Sequence, residues 1–199
     1  MKRFWLLPIL LLLVAVALPV THSIATQSPA EPVEPVSVFF VRHAETATST
    51  RTNRDPELSD LGRARAIALA QLLKSSGATH LFASEYVRTQ STLKALAENC
   101  DLEIKVIPAG DATTQLATLR SLPAGSVAVV CGHSNTVPAM VSGLGGKVAE
   151  FQGIPVAKQA LAHNTYNRLF LVVLAASEGA APKAIEFQYG AAAPTEHDE

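Results

Sequence analysis

The chain has 199 residues, the length of one domain with a sizeable core. Its 16 lysines and arginines nearly balance 17 aspartates and glutamates, a formal net charge of −1. That balance excludes the broad basic footprint of a nucleic-acid binder and confines any anion site to a local cluster.

In chain order, residues 1–25, MKRFWLLPILLLLVAVALPVTHSIA, read as a secretory signal: Lys2 and Arg3, an apolar stretch, then Ser23-Ile24-Ala25 as a cleavage site. Pro8 and Pro19 interrupt the run, which falls short of the ~20 residues of a spanning helix. The expectation is an exported, periplasmic or secreted protein with no stable membrane span after cleavage. Losing Lys2 and Arg3 leaves 14 basic against 17 acidic residues, a charge of −3. Residues 26–35 are a Pro-rich linker, 36–190 the folded domain, and 191–199 a flexible acidic tail. Cys100 and Cys131 are expected as two separate buried thiols.

VSVFFVRH (36–43) is the first strand, a continuous apolar run of the kind buried on both faces. After a long polar loop, LSDLGRARAIALAQLLKSSG (58–77) is a helix with Ser59 as N-cap and Gly77 at its end. THLFAS (79–84) is the second strand. The helix that follows has Ser84 as its expected N-cap and Arg88 near its first turn. LEIKVIP (102–108) is strand three, DATTQLATLRSL (111–122) a short helix, and GSVAVVCGHS (125–134) strand four. NTVPAMVSGLGG (135–146) is a helix, and 166–176 and 184–190 are strands five and six. Strands alternating with helices predict an α/β fold, a three-layer α/β/α arrangement around a largely parallel sheet.

In such sheets the site lies beyond the carboxyl ends of the strands. Arg42 and His43 leave strand one there, Ser84 to Arg88 leave strand two, and His133 and Ser134 leave strand four. Two arginines and two histidines in one crevice describe a phosphate pocket. Arginine's planar fork meets two phosphoryl oxygens at once. A neutral imidazole can attack phosphorus, a second can steady the developing charge, and an acid is needed to protonate a departing alcohol. His22, His80, His163 and His197 read as structural or solvated, and Arg51 or Arg54 can reach substrate from the long loop.

VRHAET, LSDLGRARA, ASEYVRTQSTLKAL and VCGHSNTVPAMVSGLGG together resemble the successive signatures of the histidine phosphatase superfamily, the phosphoglycerate-mutase-like fold. The resemblance covers nearly all of 36–190. It implies a six-stranded sheet ordered 3-2-4-1-5-6 with strand 5 antiparallel. It implies His43 as the phosphorylated nucleophile, Arg42, Arg88 and His133 as the rest of the pocket, and a small phosphorylated substrate. No metal or other cofactor is expected. Three departures stand out. Arg65 replaces a common glutamine and is expected at the surface, Glu85-Tyr86 replace proline-leucine, and the glutamate many members carry after strand three is missing. Asp111 is the preferred proton donor, with Glu45 the alternative. Ser134 is expected to touch substrate. Two other readings stay open: GHSNT approaches a hydrolase elbow, which would make Ser134 the nucleophile of an esterase, and the pocket can serve recognition without catalysis. Within the family a phosphatase fits better than a mutase, because the chain is compact and reads as exported.

Overall fold

The computed structural model describes residues 33–175 and 180–191. The signal segment 1–25, the linker up to residue 32 and the tail beyond residue 191 lie outside the described residues.

Among the described residues six strands form one sheet: β1 (Ser37–Arg42), β2 (His80–Ala83), β3 (Ile104–Val106), β4 (Val127–Gly132), β5 (Arg168–Val173) and β6 (Lys183–Gln188), ordered β3-β2-β4-β1-β5-β6. The β1–β4, β2–β4 and β2–β3 pairs are parallel, while β5 runs antiparallel to β1 and to β6. The helices are α1 (Asp60–Leu73), α2 (Val87–Cys100), α3 (Ala112–Arg120) and α4 (Thr136–Gly143), with two 3₁₀ turns at Ala149–Phe151 and Val156–Lys158.

The apolar runs are continuous because both faces of the central strands are covered. Val38 and Phe40 of β1, with Ala128 and Val130 of β4, pack among Leu119 of α3 and Val137, Met140 and Val141 of α4. Val41, Val129 and Cys131 point the other way, onto Leu69, Ala70 and Leu73 of α1 and Leu93 and Leu96 of α2. Phe40 and Phe170 are fully buried, each stabilising by about 2–3 kcal/mol through removal from water. Both cysteines are free thiols; Cys131 is buried, but Cys100, at the end of α2, is only half-buried.

Because β1, β2 and β4 are parallel, their carboxyl ends open on one edge of the sheet. There, α1 sets the loop that leaves β1. Ser59 caps the helix by accepting from the Gly62 N–H at 3.1 Å, and the Ser59 N–H donates to the Glu45 carbonyl at 2.9 Å. A Cβ on Gly62 would lie 2.0 Å from that carbonyl oxygen, so only glycine lets α1 approach the residues after His43 this closely.

Ser84 does not cap α2. That helix starts three residues later, at Val87, with Tyr86 at the cap position and no side-chain cap bond of its own. Asp55, from the β1–α1 loop, supplies the missing acceptor: its Oδ2 takes the Val87 N–H at 2.8 Å.

Candidate active site

Four side chains foreseen as a pocket meet at this edge. Arg42 and His43, at the end of β1, are buried, and Arg88 sits in the first turn of α2. His133 follows β4 with its ring centroid 5.5 Å from that of His43. Gly132 makes the last turn possible: a Cβ there would lie 2.6 Å from Thr136 Oγ1, the atom that accepts the His133 N–H at 2.8 Å.

Each ring is oriented by a specific bond. His43 Nδ1 lies 2.8 Å from the Ala44 carbonyl oxygen, which can only accept. Nδ1 therefore carries the proton and Nε2 keeps its lone pair free. Burial holds His43 down at about 4, with Arg42 and Arg88 adding to the effect, so the ring is neutral near pH 7. The neighbouring cations are the smaller cause. His133 accepts from Arg88 Nη2 through Nδ1 at 3.5 Å and donates from Nε2 to Ser84 Oγ at 3.0 Å. The chain continues through Thr89 Oγ1 to the Tyr86 carbonyl. His133 is likewise lowered to about 4, again mainly by burial and then by Arg88.

Both arginines are braced. Arg42 Nη1 donates to the carbonyls of Ala162, His163 and Thr165 at 2.8–3.1 Å, and its guanidinium lies 4.0 Å over the Tyr166 ring. Its Nε is buried and has no hydrogen-bond partner among the described residues, a donor left over for an anion. Arg88 lies 4.2 Å over the Tyr86 ring and donates from Nη1 to Asp55 Oδ1 at 2.9 Å. Tyr166 and Asp55 are therefore parts of the site that sequence reading passed over, while Tyr86 stood out from sequence only as a departure beside the pocket. Arg51 and Arg54 are exposed. Ser134 lines the same open cleft, about 420 Å³, as His43, Arg88 and His133. Among the described residues no base is hydrogen-bonded to its hydroxyl, so it lacks what an activated serine needs.

Both carboxylates expected as proton donors are engaged. Arg65 is not a surface residue: its side chain is 1% exposed and forks onto Glu45, with Nη2–Oε1 at 2.6 Å and Nε–Oε2 at 2.8 Å. Glu45 thus faces away from the cleft, into an ion pair. Asp111 is the N-cap of α3, its Oδ1 accepting the Thr114 N–H at 2.9 Å. That bond holds its carboxyl below the usual aspartate range, so it is ionised at neutral pH and carries no proton to give. No group of three or more histidine, cysteine, aspartate or glutamate side chains with metal-binding geometry occurs among the described residues.

Residues 38–109 match the model of the histidine phosphatase superfamily (branch 1), a span that includes Arg42, His43 and Arg88 but not Asp111 or His133. A 77-residue stretch is 35% identical to the "Probable phosphoglycerate mutase GpmB" of Yersinia enterocolitica, covering 37% of this chain and 36% of that protein. The match thus spans about a third of the length of the curated relatives. The fold is similar to a candidate phosphohistidine phosphatase SixA from Nakamurella multipartitia, with a TM-score of 0.60, 21% identity, and 81% of this chain and 100% of that one covered. It is also similar to the protein histidine phosphatase SixA in complex with tungstate, with a TM-score of 0.57, 19% identity, and 77% and 95% covered.

Proposed function

From the match of residues 38–109 to the histidine phosphatase superfamily and the geometry of the cleft, we propose a phosphatase that works through a phosphohistidine on His43. The observation that carries this is the pairing of a neutral His43, its Nε2 lone pair free, with two braced guanidinium groups. Arg42 Nε and the Arg88 fork hold the phosphoryl oxygens. His43 Nε2 attacks phosphorus, the N–P bond forms, and the bond to the leaving group breaks with its electron pair going to that group. Water then attacks phosphorus, the N–P bond breaks, and inorganic phosphate leaves with the proton shed by the water. A bound dianion offsets the cationic surroundings of His133. This favours its imidazolium, which donates to a phosphoryl oxygen as charge builds.

The proton for the leaving group is the finer part of the reading. Glu45 is tied to Arg65, Asp55 to Arg88, and Asp111 is an ionised cap. We therefore place the reaction among substrates whose leaving group departs without a proton from the protein, such as aryl or acyl phosphates and phosphorylated imidazole. The same reading sets the enzyme outside the cytoplasm, behind the expected signal at residues 1–25.

Rapid quench with labelled p-nitrophenyl phosphate is expected to trap acid-labile phosphate on His43, and His43→Ala to abolish turnover. Label on Ser134, or full activity in His43→Ala, overturns the mechanism. A leaving-group series tests the finer part: rates should fall steeply with leaving-group basicity, and a flat series means that the protein does supply a proton.

A further inference from the structure

The cleft does not end at the phosphate pocket. Its floor at Ala109, Asn135 and Thr136 continues into a groove of about 140 Å³ between the first turn of α3, α4 and the 3₁₀ turn at Val156–Lys158. Ala112, Ala139, Met140, Val156 and Ala157 form most of its wall, and no charged side chain among the described residues lines it. Of its amides, Gln115 has its Nε2 engaged, donating to the Pro108 carbonyl at 2.7 Å. Beneath His133, a second cavity of only about 20 Å³ shares Ala109, Gln115, Thr136 and Met140 with the groove.

This placement constrains what can be attached to the phosphoryl group. The cleft that holds His43 and Arg88 runs into the groove through Ala109, Asn135 and Thr136. The groove is therefore within reach of whatever the phosphoryl group carries. A sugar there would lose water from several hydroxyls against alanine, valine and methionine, with few partners to replace it. A flat uncharged ring would lose little and bury its carbon. The size agrees, since apolar cavities of about 150 Å³ accept a benzene-sized guest.

Resting on the phosphatase reading above, we infer that this groove is the leaving-group subsite and that it selects phosphorylated groups bearing one uncharged, largely apolar ring. In the chain Asp111 falls between Gly110 of the cleft and Ala112 of the groove, with its carboxylate bonded to Thr114.

The subsite is tested apart from catalysis with phosphonates, which offer the same anion but cannot turn over. Phenylphosphonate is expected to bind the purified protein about tenfold more tightly than methylphosphonate, from the ring area buried. Ala139→Phe, which fills the groove from α4, should erase that difference. Ala157→Phe, at an exposed position on the opposite wall, does the same if the α4 variant fails to fold. In turnover, both variants should lower kcat/KM for p-nitrophenyl phosphate about tenfold while leaving acetyl phosphate, which has a good leaving group and no ring, within about twofold. Equal affinity for the two phosphonates, or equal losses on both substrates, overturns the subsite and leaves the phosphatase reading intact. Discrimination between the phosphonates without any phosphate on His43 does the reverse.

Discussion

Replacing Glu45 by glutamine separates a structural carboxylate from a catalytic one. Arg65 is 1% exposed at its side chain and Glu45 12%, with contacts of 2.6, 2.8 and 3.0 Å between them. Removing one partner of such a pair leaves an uncompensated buried cation and costs about 3–5 kcal/mol. Glutamine still offers one carbonyl oxygen to the guanidinium, which places Glu45→Gln near the low end, about 3 kcal/mol. For a domain of this size each kcal/mol lowers the melting temperature by about 2–4 °C, so the loss should be roughly 6–12 °C. Thermal unfolding followed by circular dichroism reads it directly. The double variant Glu45→Leu/Arg65→Met removes both charges and should recover most of the loss. Well below both melting points, Glu45→Gln should slow p-nitrophenyl phosphate and an alkyl phosphate by the same factor. A melting point within about 2 °C of the parent refutes the buried-pair argument. A loss confined to the alkyl substrate makes Glu45 the proton donor.

Both pocket histidines should be neutral at pH 6 and take up protons only as pH falls through about 4, read by NMR titration of their ring resonances; either ring titrating at its ordinary value removes the basis for a free Nε2. The unfolded rings take protons below about 6.5 and the folded ones do not until about 4. Their contribution to stability is therefore fully present above pH 6.5 and is lost as pH falls from there toward 4, which urea titrations at a series of pH values measure. Asp55→Asn keeps an acceptor for the Val87 N–H but not for Arg88. The pair is partly exposed, so the effect is about 1 kcal/mol: vanadate should bind roughly fivefold more weakly, with the melting temperature nearly unchanged. Unaltered vanadate affinity would show that Asp55 does not position Arg88. Arg88→Lys should lower kcat/KM by about 100-fold because a point charge cannot replace the fork, and a loss under threefold would remove Arg88 from the phosphate-binding set.

The sheet was readable because β1 and β4 bury both faces: Val38 and Phe40 against Val41, and Ala128 and Val130 against Val129, leave no polar alternation to mistake. Arg42, His43 and His133 were readable for the related reason that a polar residue directly after such a run must leave the core. The strand order was not written in the alternation and came only with the family likeness. Non-local pairings escaped. Arg65 looked like a surface change because its partner Glu45 lies 20 residues away. Asp55 caps a helix 32 residues downstream. Ser84 has the chemistry of a cap, but its hydroxyl is taken by His133 and Thr89, which only the folded geometry brings within reach. Tyr166 read as the first residue of a strand, whereas β5 begins two residues later and the ring serves as the platform under Arg42.

The bracing of the two guanidinium groups bears on throughput. Arg42 is fastened by three carbonyl oxygens and an aromatic ring, Arg88 by Asp55 and another ring, so the protein's own contacts hold the anion seat in shape. A ready-made seat costs no reorganisation to fill, for the ester entering or for the inorganic phosphate left behind. The two differ only in what lies beyond the phosphorus. Free phosphate therefore competes with every fresh substrate on nearly equal terms at the arginines. The only advantage left to the substrate is the contact its organic portion makes. The proposed phosphatase is therefore expected to slow as its own product accumulates and to run fastest where phosphate is scarce.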